Sequence, residues 1–204
     1  MKSRRSVLVS GMAVAGVGLI RPAMGLGFLR TPEQAEGPFY PDLLPKEHDT
    51  DLTHVDGHPE RAKGTPLDLV GRVKTSDGGL VIGAQIDLWQ CDANGAYHHR
   101  RDRGGNWDLG FQGFGRTISD ANGAYRFRTI RPVPYPGRTP HIHFKVKARG
   151  FPVLTTQMYV LGEPGNGRDF LYRRLKGAAA REAVTVQLVE TEDGYKGTFD
   201  LVIG

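Results

Sequence analysis

The segment Tyr135-Pro-Gly-Arg-Thr-Pro-His-Ile-His-Phe144 carries most of the information in this 204-residue chain. In a β-strand, residues i and i+2 point to the same face, so His141 and His143 present two imidazoles side by side. The intervening Ile142 and the following Phe144 are both strand-forming residues. Such a pair can bind one metal ion. Zinc, copper and iron all accept imidazole, however, so the other ligands must decide which metal it is.

Tyrosine is the candidate for those other ligands. The sequence Asp-Ala-Asn-Gly-Ala-Tyr occurs twice, ending at Tyr97 and again, 28 residues later, at Tyr125. Each Asn-Gly is a tight-turn signal between apolar runs. Tyr125 opens an alternating run in which it shares a face with Phe127 and Thr129, so we predict that it belongs to the core. Tyr97 precedes a polar, irregular run without an apolar partner at strand spacing, which makes it the better ligand candidate.

The rest of the chain predicts a fold built almost entirely of strands. Short apolar runs alternate with turns rich in glycine and proline, and seven of them are predicted strands: residues 67–73, 82–89, 125–130, 141–146, 153–160, 184–189 and 198–202. Only residues 170–180 have the pattern of a short helix, and residues 100–115 form a long, Gly-rich loop expected to overhang the site beside Tyr97. We predict an all-β domain, a β-sandwich of mixed and antiparallel strands with long loops around a metal site.

The first 25 residues are predicted to be an export signal that precedes the folded domain of residues 26–204. Three basic residues come before residues 7–20, an apolar stretch shorter than the roughly 20 residues that a membrane span needs. Ser3-Arg-Arg-Ser-Val-Leu8 resembles a twin-arginine signal, and Ala23-Met-Gly25 is the nearest, imperfect cleavage site. We therefore expect a periplasmic or extracellular protein with no membrane span after signal removal. The alternative is an ordinary basic N-terminus.

Charge and cysteine content exclude two other classes of function. The formal net charge is +5, but the four basic residues among the first 25 account for all except one of these charges, so nucleic-acid binding is not expected. Cys91 is the single cysteine, which excludes an intramolecular disulfide. Within its apolar run, Cys91 is predicted to be a small buried residue rather than a nucleophile.

Taken together, these motifs resemble the intradiol ring-cleavage dioxygenases, and most closely the protocatechuate 3,4-dioxygenase type (the beta-subunit type). The resemblance runs from Thr31 to about Tyr172 and keeps the family's order. Its motifs are the Thr-Pro-Glu-Gln-Ala-Glu-Gly-Pro-Phe-Tyr run ending at Tyr40, the Asp-Leu-Trp-Gln-Cys-Asp run before Tyr97, the Gly-Arg-Thr-Ile-Ser-Asp run ending at Asp120, the run from Tyr125 to Pro136, the His-Ile-His segment, and Thr156-Gln157.

The resemblance implies one non-haem Fe(III) per chain, bound by two tyrosinates and two histidines. These ligands fall on Tyr97, Tyr135, His141 and His143. By the same resemblance, Tyr135 is the ligand that departs when substrate binds, and Tyr97 is the one that stays. Tyrosine has an unperturbed pKa of about 10 and binds as tyrosinate only where a strong Lewis acid displaces its proton. A ferric ion meets that requirement.

Further residues are implied around the iron. The family's catalytic arginine, which also contacts substrate, falls on Arg138, and its catalytic glutamine falls on Gln157. Gly37 and Pro38 correspond to a Gly-Pro pair near the substrate pocket. A guanidinium has a fixed charge and a fork of donors, which suits it to stabilising charge that develops on a substrate ring and its oxygens.

The implied reaction is cleavage of a catechol-type ring between its two hydroxylated carbons, with insertion of both atoms of O2. The segment from Tyr135 to His141 is shorter than in the protocatechuate enzymes, and Gly137 stands where an aromatic residue usually follows Tyr-Pro, so the substrate stays open. A protocatechuate-like substrate is favoured, because the N-terminal helical region usual in hydroxyquinol and catechol enzymes is absent. The oligomeric state and the need for an unlike subunit also stay open.

Three alternatives to this interpretation are less consistent with the sequence. A cupin would need a carboxylate four or five residues beyond the second histidine, where the chain has Lys147 and Ala148. A non-catalytic, exported, transthyretin-like binding module would be expected to lack one of the ligand positions, and none is missing. His98 and His99 could be ligands, but adjacent strand residues point in opposite directions, and a solvated loop is predicted for at least one of them.

Overall fold

The computed structural model describes residues 27–204; the predicted export signal and its cleavage site lie outside the described residues. Ten strands and two short helices follow one another along the chain. They are β1 (Pro66–Thr75), β2 (Gln85–Trp89), β3 (Phe114–Ile118), β4 (Ala124–Ile130), β5 (His141–Lys147), β6 (Leu154–Val160), α1 (Phe170–Arg174), α2 (Ala178–Glu182), β7 (Thr185–Val186), β8 (Val189–Thr191), β9 (Gly194–Thr198) and β10 (Leu201–Ile203). The predicted all-β class is confirmed.

The strands form two five-stranded sheets. In the first, β1 pairs antiparallel with β4 and parallel with both β9 and β10, while β8 pairs with β9. In the second, the order is β3-β2-β5-β6-β7, antiparallel except for the last pair. Both sheets are therefore mixed, as predicted.

The sheets pack face to face over one apolar core. Tyr125 and Phe127 of β4 belong to this core together with Phe144 of β5, whose ring lies 6.1 Å from that of Tyr125. Tyr125 also donates a hydrogen bond from its hydroxyl to the Phe199 carbonyl. Its assignment to the core is thus confirmed, and so is the sandwich architecture.

Strand β5 has two unlike faces, and this alternation positions the candidate site. Ile142, Phe144 and Val146 are buried in the core between the sheets. His141 and His143 point to the opposite face, yet they are only 1% and 2% exposed. That outer face of the second sheet is covered by loops and by the N-terminal segment of the described chain instead of a second sheet.

Several predicted element boundaries are wrong. The predicted loop 100–115 overlaps a strand, because β3 begins at Phe114. Gly115 weakens the strand pattern of the sequence there. Glycine is needed at this position, since a Cβ would lie 2.5 Å from the Asp49 carbonyl oxygen. The predicted strand 184–189 divides between β7 and β8, which belong to different sheets. The predicted strand 198–202 divides between β9 and β10, and the single helix predicted over 170–180 forms two short ones.

Cys91 is 1% exposed, and burial raises the pKa of its thiol to about 12, as a packed rather than nucleophilic cysteine requires. Within residues 27–204, we find no helix with the length and apolar character needed to cross a membrane.

Candidate metal and substrate site

The two histidines of β5 bring their ring nitrogens together. The Nε2 atoms of His141 and His143 are 3.2 Å apart. His141 Nδ1 lies 2.7 Å from the Thr139 carbonyl oxygen, and because a carbonyl can only accept, Nδ1 carries the proton. His141 therefore directs a lone pair from Nε2 towards its neighbour, in the arrangement usual for a metal-binding histidine.

Neighbouring strands hold these rings in place. In the ladder, His143 lies between Trp89 of β2 and Gln157 of β6, and His141 lies opposite Tyr159. The Trp89 ring stacks on His143 with centroids 4.7 Å apart and an interplanar angle of 13°. Burial, followed by the charge of Arg138, lowers the pKa of His141 to about 3. Both imidazoles are thus kept neutral, which metal coordination requires.

Tyr97 reaches the same place from the loop that follows β2. The Asp92 carboxylate accepts hydrogen bonds from two backbone amides of the preceding turn, and the Tyr97 amide donates to Asp102 over 2.6 Å. Phe39 stacks on the Tyr97 ring at 4.4 Å, which leaves Tyr97 only 2% exposed. The residues that follow Tyr97 supply no apolar partner, as predicted. The Tyr97 ring nevertheless packs against a residue from a distant part of the chain.

Tyr135 stands opposite Tyr97 on a tight turn. The Arg138 amide donates to the Tyr135 carbonyl over 2.9 Å, and Gly137 has the positive φ of 81° that this turn requires. The Tyr135 ring lies 5.6 Å from that of Tyr97 and 5.5 Å from that of His141. Unlike Tyr97, Tyr135 is only partly buried.

These four side chains fit a hard, highly charged metal ion. The Tyr97 hydroxyl is buried and has no hydrogen-bond partner among the described residues, and the same is true of His143 Nδ1. Burial, and then the neighbouring Tyr135, raises the pKa of Tyr97 well above that of a free phenol, so only a strong Lewis acid could displace its proton. No group of three or more histidine, cysteine or acidic side chains that could hold a metal occurs in residues 27–204, so any metal here depends on the tyrosines.

Arg138 adds a buried positive charge next to Tyr135. Its Nη1 lies 3.4 Å from the Tyr135 hydroxyl, its Nη2 donates to Gln157 Oε1 over 2.6 Å, and its Nε donates to Asp169 over 2.7 Å. Burial alone would lower the pKa of Arg138, but the hydrogen bond to Asp169, together with the charges of Tyr135, Asp169 and Tyr159, outweighs it and raises the pKa. Sequence reasoning missed Asp169, although an aspartate just before a predicted helix is a recognised N-cap signal.

Gly37 lies next to the His143 ring, and Pro38 follows it in the chain. Gly37 has a φ of 75°, and a Cβ added to it would lie 3.6 Å from His143 Cε1. The segment before them is fixed to β6, because Gln157 Nε2 donates to the Ala35 carbonyl and Gln34 Nε2 donates to the Gln157 carbonyl. Both residues are exposed, at a position that can border a bound substrate.

The other two histidines near Tyr97 differ from the prediction. His99 is 7% exposed, with its Nε2 atom 3.3 Å from Asp42. His98 is half-buried, and its Nε2 lies 3.4 Å from Asp92, so neither is the solvated residue predicted for at least one of the two. The loop folds back on the N-terminal segment and encloses both rings, a contact that local sequence does not reveal.

Two cavities flank the tyrosines. One, of about 420 Å³, has Tyr135, Arg138, Glu163, Arg168 and Asp169 among its lining residues. The other, of about 510 Å³, lies on the Tyr97 side and has an aromatic lining that includes Phe39, Trp89 and Phe114. A third cavity, of about 640 Å³, contains none of the residues predicted for the site.

Comparison with known proteins agrees with this geometry. Residues 35–203 match the family model described as dioxygenase. The protocatechuate 3,4-dioxygenase beta chain of Burkholderia cepacia is 35% identical over 175 residues, which cover 79% of this chain and 73% of the relative. The chain belongs to the intradiol ring-cleavage dioxygenase family. Enzymes of this family use non-haem Fe(III).

Other relatives extend the comparison. Catechol 1,2-dioxygenase 1 of Acinetobacter lwoffii is 31% identical over 80% of this chain, but the chain spans only 55% of that relative's length. Among solved structures, the dioxygenase domain of a dioxygenase–carbohydrate-binding protein fusion from Streptomyces sp. SirexAA-E is 36% identical, with a TM-score of 0.65. The similarity covers 85% of this chain and 97% of that domain.

Proposed function

We propose that the protein binds one Fe(III) per chain through Tyr97, Tyr135, His141 and His143, and that it cleaves a catechol-type ring between the two hydroxylated carbons. Both atoms of O2 enter the product. The observation that carries this proposal is the buried, unpartnered Tyr97 hydroxyl beside two imidazoles whose Nε2 atoms converge. Family membership supports the same chemistry.

Bound in this place, Fe(III) would supply the Lewis acidity that removes catechol protons and draws electron density from the ring. The two tyrosines are suited to different tasks. Tyr97 is fully buried, stacked on Phe39 and fixed through its backbone, as a permanent ligand would be. Tyr135 is partly exposed on a turn beside Arg138, which suits a ligand that is released. Burial raises the pKa of Tyr135 despite Arg138, so a released Tyr135 can retain a proton taken from the substrate.

Arg138 and Gln157 complete the catalytic group of this proposal. The Arg138 guanidinium directs Nη1 at Tyr135, so its charge lies where a substrate that replaces Tyr135 would develop negative charge. Gln157 accepts from Arg138 and donates to the Ala35 carbonyl, and it therefore links the guanidinium to the segment that leads to Gly37.

A protocatechuate-like substrate is favoured among the catechols. In the cleft beside Tyr135, Glu163 is paired with Arg131 and Asp169 with Arg138, which leaves the exposed Arg168 as the charge of the wall without a carboxylate partner in these pairs. That positive charge favours a catechol that carries a carboxylate. The similarity to the Burkholderia cepacia beta chain supports the same choice.

Oxygen uptake by the purified protein with protocatechuate, catechol and hydroxyquinol tests the proposal. We expect protocatechuate to be turned over fastest of the three, with a ring-opened tricarboxylic acid as product, because cleavage adds two carboxyl groups to the one that protocatechuate already carries. A preference for catechol or hydroxyquinol would replace the substrate while retaining the reaction. No uptake by fully iron-loaded protein would favour the non-catalytic, transthyretin-like binding module.

We further propose that residues 1–25 direct export by the twin-arginine route. The support is the Ser3-Arg-Arg-Ser-Val-Leu8 motif and the weakly apolar stretch after it. Replacing Arg4 and Arg5 by lysine should retain the protein in the cytoplasm of its host. Normal export of that variant would contradict the route.

A further inference from the structure

Asp169 is a completely buried carboxylate that receives four hydrogen bonds from two different elements. Its Oδ1 accepts from the backbone amides of Leu171 and Tyr172 over 2.9 and 3.0 Å, and so caps helix α1. Its Oδ2 accepts from Arg138 Nε over 2.7 Å and from the Thr139 amide over 3.1 Å. The side chain is 0% exposed.

Asp169 also remains charged in this position. Burial alone would raise the pKa of its carboxyl, but the Tyr172 amide and the Arg138 guanidinium outweigh that effect and lower the pKa. Arg138 is itself only 8% exposed in its side chain. Removing either partner would leave the other as a buried charge, which is strongly destabilising, so each fixes the other in place.

The guanidinium of Arg138 is consequently oriented on three sides. Asp169 holds Nε, Gln157 accepts from Nη2, and Phe170 lies 5.6 Å from the central carbon. The remaining nitrogen, Nη1, is directed at the Tyr135 hydroxyl. Immobilising an arginine side chain costs rotamer entropy, and a charged partner at Nε offsets that cost better than a neutral amide does.

We propose that Asp169 is the positioning residue of Arg138: through Nε it sets the direction in which Nη1 and the positive charge face Tyr135 and the substrate. This inference rests on the proposed function for its kinetic consequence, whereas its structural consequence is independent of activity. Because Asp169 also caps α1, the orientation of Arg138 is coupled to the start of that helix.

Asp169→Asn and Asp169→Ser separate this role from a purely structural one. Asparagine and serine are both good N-caps, so either variant can keep α1 while removing the charged partner of Arg138. We expect kcat per iron to fall about 10- to 100-fold, the range for residues that orient an active group, with little change in KM, because the lost interaction acts on developing charge. The iron content of the resting protein should stay unchanged.

Asp87→Asn is the matched control. Asp87 of β2 is also a fully buried carboxylate, and it accepts a hydrogen bond over 2.6 Å from Nε of Arg116 on the neighbouring strand β3. The control should lower the melting temperature and leave kcat per iron unchanged. An equal loss of kcat in both variants would show a general effect of losing a buried ion pair, and would overturn the specific role of Asp169.

A double-mutant cycle with Arg138→Lys tests whether Asp169 acts through Arg138. If it does, Asp169→Asn has no further effect on kcat in the Arg138→Lys background. Additive losses would overturn the proposal. A wild-type protein with no oxygen uptake would instead overturn the proposed function, and the crystal structure of Asp169→Asn then decides: a displaced Arg138 side chain supports the positioning role, and an unmoved one contradicts it.

Discussion

The two copies of Asp-Ala-Asn-Gly-Ala-Tyr fold into the same turn and place their tyrosines in opposite environments. In both, the aspartate Oδ1 accepts from the backbone amides two and four residues later, at 2.9 and 3.0 Å in one copy and 2.8 and 2.9 Å in the other. The glycines have similar positive φ angles, 77° at Gly95 and 66° at Gly123. The turn therefore does not decide what each tyrosine does.

The residues after the turn make the difference. Tyr125 continues into β4, enters the core and donates its hydroxyl proton to the Phe199 carbonyl. Tyr97 enters a loop held by Asp102, and its buried hydroxyl has no partner among the described residues. A turn sequence thus fixes backbone geometry alone, while the role of the tyrosine depends on whether its hydroxyl is satisfied within the protein. We interpret the unsatisfied hydroxyl as a ligand atom.

The largest effect is expected from removing a histidine of β5 that lies beside Tyr97. His143→Ala removes an imidazole whose Nε2 faces that of His141, so we expect loss of iron and of colour. The control is His99→Ala. The His99 ring lies on the loop after Tyr97 and contacts Asp42 of the N-terminal segment, so this variant should retain iron. Metal analysis of both variants checks this. Equal iron loss would mean that the wrong histidines have been assigned.

The second-largest effect is expected from deleting the Tyr97 hydroxyl. Tyr97→Phe keeps the ring that stacks on Phe39 but removes the proposed ligand oxygen. We expect a shifted visible band and a loss of ring cleavage greater than about 100-fold, beyond the range of residues outside the ligand set. Activity and visible spectra of Tyr97→Phe and Tyr125→Phe, measured together, provide the test. If only Tyr125→Phe bleaches the protein, the roles of the two copies are reversed.

The turn glycines provide a finer comparison. Alanine at a positive φ costs roughly 1–2 kcal/mol, so Gly95→Ala and Gly123→Ala should both lower the free energy of unfolding. A Cβ at Gly95 would lie 3.4 Å from Tyr135 Cβ, whereas one at Gly123 would lie 2.9 Å from the Val73 carbonyl oxygen. We expect only Gly95→Ala to shift the visible band as well. A band shift in Gly123→Ala alone would contradict the division of roles.

The smallest effect is expected for the core tyrosine. Tyr125→Phe keeps the ring against Phe144 and deletes the hydrogen bond to Phe199, which is worth about 0.5–1.5 kcal/mol. Denaturant unfolding should show that loss, with the colour and turnover unchanged. Wild-type stability in this variant would show that the hydroxyl contributes nothing to the core.

The sequence predicts the local parts of this arrangement well. The alternation of β5 separates its histidines from its core residues, and the strand after Tyr125 assigns that tyrosine to the core; both assignments follow from a two-residue period. What it did not predict depends on contacts between distant segments. The Phe39 stack on Tyr97, the Trp89 stack on His143 and the burial of His99 against Asp42 all join residues that no local pattern relates.

Asp169 illustrates the same limit within the site. Its N-cap role is local and could be predicted from the helix signal, but its bond to Arg138 spans 31 residues and depends on how α1 packs against β6, where Tyr172 contacts Tyr159. The choice of ligands by residue type stays a prediction, which metal analysis and the visible spectrum test.

Metal analysis combined with the visible spectrum of the purified, untreated protein tests the central assignment most directly. Two tyrosinates bound to Fe(III) give a ligand-to-metal charge-transfer band, so we expect a reddish protein with one iron per chain. The band should diminish in proportion as iron is removed by a chelator. A colourless protein that contains zinc at full occupancy would contradict the assignment of Tyr97 and Tyr135 as iron ligands.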